Sequence, residues 1–246
     1  RPSHVAQHMY GGEGLETDLV AAAKQQRLEG ILNGCEYPQE ADYPKLNKTR
    51  LMAIIDEALL HWVAKSAVML SVHWIARERL QQWCSKRDRG LMITAVGRVT
   101  EQKVRLLRHR VTYQNKHQSV LQHLLELLGE KGVFLMLGSG DADYEKFLQE
   151  VSAYCPNFIF LRGYSDRLSA AIYRFCDLFV MPSSFEPCGI SQMLAMRAGT
   201  PPAAMLGGSD FTREGWRRSV HLFNRHWYDG SWIHERFGAL YQPRVI

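Results

Sequence analysis

Hydrophobic positions are distributed in two styles along this chain. From residue 91 onward they cluster into short dense runs: 91–96 (Leu-Met-Ile-Thr-Ala-Val), 133–137 (Val-Phe-Leu-Met-Leu), 158–161 (Phe-Ile-Phe-Leu) and 177–181 (Asp-Leu-Phe-Val-Met). Runs of this length without polar alternation are the mark of strands buried on both faces. Between them lie stretches with helical spacing: 114–129, where Val120, Leu121, Leu124, Leu125 and Leu128 share a face, then 144–154, 168–175 and 190–197. Residues 202–206 offer a last strand of weak β-propensity. Strand–helix alternation over 91–206 predicts βαβ units and a doubly wound parallel α/β sheet.

Before residue 91 the style is helical. Residues 15–28 carry Leu19, Val20, Ala22 and Ala23 between polar neighbours, and 50–84 runs without Gly or Pro as one long helix or two. The apolar pair Ile31-Leu32 is closed by the turn signal Asn33-Gly34, and 42–48 is a polar loop. The expected organisation is a single domain over 1–246, with its core at 28–211, a helical insertion at 42–90 and an amphipathic aromatic tail at 212–246.

Composition narrows the functional classes. A chain of 246 residues, 46% hydrophobic and 22% charged, is long enough to bury a full core. Its net charge of +5 suits an anionic ligand. The basic residues Arg105, Arg108, Arg110, Arg213, Arg217 and Arg218 are not interleaved with aromatics, so no nucleic-acid partner is expected. The five cysteines, Cys35, Cys84, Cys155, Cys176 and Cys188, form no CxxC pair, which argues against a zinc site or a disulfide framework. Free thiols point to a reducing compartment. The most apolar helical stretch, 58–74, is interrupted by His61, Lys65 and His73, so no membrane span is expected. With no signal peptide either, a cytoplasmic location follows as the expectation. The chain opens Arg1-Pro2-Ser3 without methionine, as a fragment or a processed product would.

The candidate chemistry gathers just beyond the strands, where open α/β sheets bind their ligands. Phe185-Glu186-Pro187-Cys188-Gly189-Ile190-Ser191-Gln192 puts a carboxylate, a glycine and a hydroxyl at the start of a helix. The N–H groups at such a terminus favour phosphate, whereas Glu186 repels it and suits hydroxyls or a positive charge. Phosphate and polyol side by side suggest a nucleotide-sugar; an ordinary strand–loop–helix joint with Pro187 setting the turn is the competing account. Arg98 and Lys103 follow the 91–96 strand, where a guanidinium fork and an ammonium point charge suit a diphosphate. Gly138-Ser139-Gly140-Asp141 closes the next strand; it either lets a ligand approach the backbone or makes a tight turn capped by Asp141. It lacks the full dinucleotide fingerprint, so no NAD or other cofactor is expected. Tyr164 either stacks on a base or is a buried structural tyrosine. Asn33 belongs to its turn or to a cleft. Cys188 is a small packed residue with a backbone N–H to offer, since nothing nearby activates its thiol.

Four ordered segments carry a family resemblance: Gly30-Ile31-Leu32-Asn33-Gly34-Cys35-Glu36; Gly97-Arg98-Val99-Thr100-Glu101-Gln102-Lys103; Leu137-Gly138-Ser139-Gly140-Asp141; and Arg162-Gly163-Tyr164 through Asp177 to Gln192 and on to Gly199-Thr200-Pro201. Together they resemble the glycogen and starch synthases, retaining glucosyltransferases whose two Rossmann-like halves face each other across a cleft in the GT-B architecture. The resemblance covers residues 1–208, thinly over 41–90. It implies the nucleotide-sugar-binding C-terminal half of such an enzyme. Arg98 and Lys103 would hold the diphosphate and steady the leaving group without a metal ion. Tyr164 would stack on the base. Glu186 would bind the transferred sugar and stabilise positive charge at C1. Backbone groups at Cys188, Gly189, Ile190 and Ser191, with Gly138 and Asn33, would complete the substrate site. Two departures stand out: Val104 where a glycine usually follows the lysine, and a partial Gly-Gly-Leu match at Leu206-Gly207-Gly208-Ser209.

The implied reaction moves glucose from ADP-glucose, or alternatively UDP-glucose, to an α-1,4-glucan bound by the other half. The isolated fragment would bind nucleotide without turnover. A non-catalytic domain that binds a nucleotide-sugar for regulation is the alternative.

Overall fold

Every residue of the strand Val133–Gly138 is buried, because its side chains alternate between two opposite apolar layers. Val133, Leu135 and Leu137 enter one layer, Phe134 and Met136 the other. This strand lies inside the sheet of a computed structural model that describes residues 15–29, 35, 46–66, 70–113, 115–184 and 189–204. In chain order the elements are α1 (Glu16–Lys24), α2 (Lys48–Ser66), α3 (Ser71–Ser85), β1 (Met92–Val96), α4 (Glu101–Arg108), β2 (Arg110–Tyr113), β3 (Lys116–Ser119), α5 (Val120–Leu128), β4 (Val133–Gly138), α6 (Ala142–Tyr154), β5 (Phe158–Arg162), α7 (Asp166–Phe175), β6 (Leu178–Met181), α8 (Ile190–Arg197) and β7 (Pro202–Ala204).

The main sheet has the order β5-β4-β1-β6-β7 with every pairing parallel. The chain runs outward from β1 through β4 to β5, then returns across the sheet to β6 and β7. The reversal makes a switch point between β1 and β6, and a crevice opens there beyond the strands' carboxyl ends. One face is covered by α2, α3 and α7 through Leu51, Ile55, Leu80, Leu168 and Ile172. The other is covered by α4, α5 and α6 through Val104, Leu107, Leu121, Leu125 and Leu148. Helices on both faces of a parallel sheet are the doubly wound α/β fold that the strand runs predict.

Three local departures have physical reasons. The stretch 50–84 is two helices, and the first begins earlier, at Lys48, because the Asn47 side chain accepts the Arg50 N–H at 2.8 Å. The expected helix over 114–129 begins only at Val120. There Ser119 and Gln122 form a reciprocal capping box, and Lys116–Ser119 instead pairs antiparallel with Arg110–Tyr113. The turn of that hairpin is set by Asn115, with φ of 62°. The last strand is short, Pro202–Ala204; Pro202 opens it and pairs only with β6 in the described sheet.

Asn33 and most of its segment, Glu186 and Cys188, the partial Gly-Gly-Leu match and the tail at 212–246 lie outside the described residues. Among the described residues no helix is long and apolar enough to cross a membrane.

Candidate nucleotide-binding cleft

The carboxyl ends of β1, β4 and β6 open into a cleft of about 510 Å³ that is closed on one side by the start of α8. That volume lies within the range of small-molecule sites. Seven of the expected site residues line it together: Arg98, Lys103, Gly138, Tyr164, Gly189, Ile190 and Ser191. They come from four separate segments, so sequence proximity alone does not bring them together.

Two loops form its floor by pairing with each other. The β1–α4 loop and the β4–α6 loop continue the strand pairing past the sheet: Gly97 N–H donates to the Leu137 carbonyl (3.1 Å), Val99 N–H to Ser139 (3.0 Å), and Asp141 N–H to Val99 (2.7 Å). The glycines make this contact possible. A Cβ on Gly138 would lie 2.1 Å from the Gly97 carbonyl oxygen, and one on Gly140 would lie 2.2 Å from that of Val99. Gly138 borders the cleft, but its missing side chain is demanded by the neighbouring loop. Asp141 makes no side-chain cap of α6. Instead Glu145, 4% exposed, accepts the Gly140 N–H at 2.8 Å and the Arg162 Nε–H at 2.6 Å.

The cationic side follows from α4. Arg98 is exposed in the loop, and Lys103 is half-buried in the first helical turn. Val104, the departure from the family pattern, is fully buried in the core and continues α4. The loop after β6 is fastened to the same helix, since Ser184 donates to the Gln102 carbonyl from both its N–H (2.8 Å) and its hydroxyl (3.1 Å).

At the other wall, Gly189 takes the left-handed conformation (φ 71°) as the residue before α8, a backbone geometry that glycine adopts without strain. Gly189, Ile190 and Ser191 thereby present the first N–H groups of the helix, which have no intrahelical acceptors. The Ser191 hydroxyl bonds to the buried Tyr173 phenol, whose pKa burial pushes up to about 12. The hydroxyl therefore already has a protein partner. Tyr164 is not the buried structural tyrosine: it is 59% exposed, lines the cleft, and its phenol donates to the Asp166 carboxylate, which raises its pKa.

Ser139 and Ser183 also line the cleft, although no role was expected for either. Their signal was position: each is a hydroxyl just beyond a strand's carboxyl end. Among the described residues there is no group of three or more His, Cys, Asp or Glu that could hold a metal ion. Cys84, Cys155 and Cys176 all have thiols pushed upward by burial, Cys176 to about 11, so none is activated as a nucleophile.

A family described as Glycosyl transferases group 1 matches residues 93–222. Glycogen synthase of Geobacillus thermodenitrificans is 32% identical over 89% of this chain and 42% of its own length. Glycogen synthase of Anoxybacillus flavithermus is 28% identical over 96% and 46%. Among solved structures, the catalytic domain of Arabidopsis thaliana starch synthase IV, bound to ADP and acarbose, superposes with a TM-score of 0.52 at 25% identity, covering 94% of this chain and 48% of that one. The chain thus spans less than half the length of these relatives.

Proposed function

We propose a function from one premise: this chain belongs to the Glycosyl transferases group 1 family, in its glycogen and starch synthase-like branch with the GT-B fold. The chain is the nucleotide-sugar-binding Rossmann-like half of a retaining glucosyltransferase, with residues 42–90 inserted into it. The donor is ADP-glucose in preference to UDP-glucose, and the acceptor is an α-1,4-glucan bound by the other half. The observation that carries this reading is the convergence of Arg98, Lys103, Tyr164 and the α8 terminus on one cleft at the sheet's switch point. The starch synthase with which the chain superposes was solved with ADP.

In this reading the diphosphate lies between Arg98, Lys103 and the first N–H groups of α8, and the base lies on Tyr164. The bond from C1 of glucose to the diphosphate oxygen breaks, and a bond forms from C1 to an acceptor hydroxyl oxygen on the same face. The acceptor's proton leaves with the nucleoside diphosphate. Negative charge grows on the departing phosphate, where fixed cations and N–H dipoles stabilise it more than the ground state. Glu186 stabilises the opposite charge at C1.

Calorimetry of the chain with ADP, UDP and their glucose conjugates tests the reading. Binding of ADP tighter than UDP is the expected result. No heat with any nucleoside diphosphate at millimolar concentration overturns it. If the full two-half protein binds ADP-glucose but transfers no glucose to a glucan, the regulatory alternative replaces the enzyme.

A further inference from the structure

The turn Arg162-Gly163-Tyr164 carries the aromatic ring of the cleft, and the helical insertion grips each of its residues. His73 Nε2–H of α3 donates to the Arg162 carbonyl at 2.8 Å. The Trp62 indole of α2 lies against Gly163 so closely that a Cβ there would stand 2.6 Å from its ring. The same indole donates its N–H to the Tyr164 carbonyl at 3.0 Å. Trp62 and His73 also pack on each other, with ring centroids 5.5 Å apart. Gly163 is not among the described glycines with positive φ, so its lack of a side chain answers to the indole and not to backbone conformation.

Tyr164 is mostly exposed, and its phenol bonds to Asp166 in the same stretch of chain. Its ring is therefore located by its backbone. That backbone is held on the cleft side by the Gly163 N–H bond to the Gly138 carbonyl (3.1 Å) and on the outer side by Trp62 and His73. Arg98 and the α8 terminus are contributed to the cleft by other segments of the chain. We infer that Trp62 is a positioning residue for nucleobase binding: it sets the height and tilt of Tyr164 over the cleft and leaves diphosphate binding to other residues. The inference rests on the reading of the cleft as a nucleoside diphosphate site, and it gives the 42–90 insertion a function in base recognition.

The test compares affinities of the chain for ADP and for inorganic pyrophosphate in wild type, Trp62→Phe, Gly163→Ala, Tyr164→Ala and the Trp62→Phe/Tyr164→Ala double variant. Trp62→Phe keeps an aromatic ring but removes the N–H. Base stacking on an aromatic side chain is strong enough that losing it weakens binding roughly ten-fold. Trp62→Phe is expected to weaken ADP by about that factor and leave pyrophosphate unchanged. Tyr164→Ala should do the same, and the double variant should be no weaker than Tyr164→Ala alone. Gly163→Ala displaces the turn from the opposite direction and should show the same selective loss, so it decides the matter if Trp62→Phe does not fold. Equal weakening of ADP and pyrophosphate would make Trp62 a general scaffold residue and overturn the inference. So would wild-type ADP affinity in Trp62→Phe alongside a weakened Tyr164→Ala. If wild type binds pyrophosphate but ADP no better, or binds neither, the reading of the site itself fails.

Discussion

Glu145 and Arg162 form an ion pair that fastens two cleft loops with one carboxylate. Oε2 accepts from the Arg162 guanidinium at 2.6 Å, while Oε1 accepts the Gly140 N–H at 2.8 Å. Glu145 is buried, while Arg162 is partly exposed and Gly140 exposed, so removing the carboxylate costs its two hydrogen bonds and does not strand a buried charge. Glu145→Ala is expected to destabilise the fold by about 1.5–3 kcal/mol, the range for hydrogen bonds to charged groups. Glu145→Gln, which can keep the Gly140 bond, should lose about half as much. Urea unfolding with an unchanged m-value measures both, and equal stability of Glu145→Ala and wild type would contradict the account.

The two glycines that meet across the floor should respond unequally to an added methyl. A Cβ on Gly138 meets backbone at 2.1 Å, whereas one on Gly97 has nothing within 4 Å. Gly138→Ala is expected to destabilise by about 1–3 kcal/mol through overpacking. Gly97→Ala should change the melting temperature little, although it borders the cleft and can still perturb ligand binding. Thermal melts of the two variants decide it.

Arg98→Ala should weaken ADP binding by about 1–3 kcal/mol, and the wild-type affinity should fall as salt rises. Chelation by EDTA should leave the affinity unchanged, because the proposed site holds the diphosphate with protein cations. Loss of binding in EDTA, restored by magnesium, would assign the diphosphate to a metal instead.

His73 predicts an acid limb in stability. Burial lowers its pKa, opposed in part by its bond to the Arg162 carbonyl and aided by the Arg162 charge, and its Nδ1 finds no partner among the described residues. The folded chain keeps this ring neutral while the unfolded chain takes up a proton near the ordinary value of about 6.5. Stability should therefore fall as pH drops below that value. His73→Gln should flatten this limb in denaturation midpoints measured from pH 7.5 to 5.5; an unchanged limb would exclude His73 as its source.

Glu186→Gln should leave ADP binding unchanged or slightly tighter, since a carboxylate does not assist a diphosphate. In the two-half protein it should lower kcat far more than it raises KM, because charge at C1 grows in the transition state. Abolished ADP binding would make the residue structural.

The sheet was legible because β1, β4, β5 and β6 are dense apolar runs, a pattern forced on strands covered on both faces. The hairpin was not, because Lys116-His117-Gln118-Ser119 is polar and its partner is short. Helix α4 escaped notice too: only Val104 and Leu107 are buried in it, while Glu101, Arg105 and Arg108 face solvent. Arg98, Tyr164 and Gly189 could be read as cleft residues because each follows a strand. Trp62 and Glu145 could not, since their importance lies in contacts that no local pattern encodes. Asn33, Glu186 and Cys188 lie outside the described residues, so their roles rest on the family resemblance.

The bond from the Trp62 indole to the Tyr164 carbonyl joins positions 102 residues apart. Bringing such distant segments together is slow, because the entropy of closing the loop opposes folding before the contact can reward it. The β1–β4 and β4–β5 pairings close far shorter spans. A refolding chain would thus pair β1, β4 and β5 before it closes this wall of the cleft, and substitutions at Trp62 should quicken unfolding more than they slow refolding.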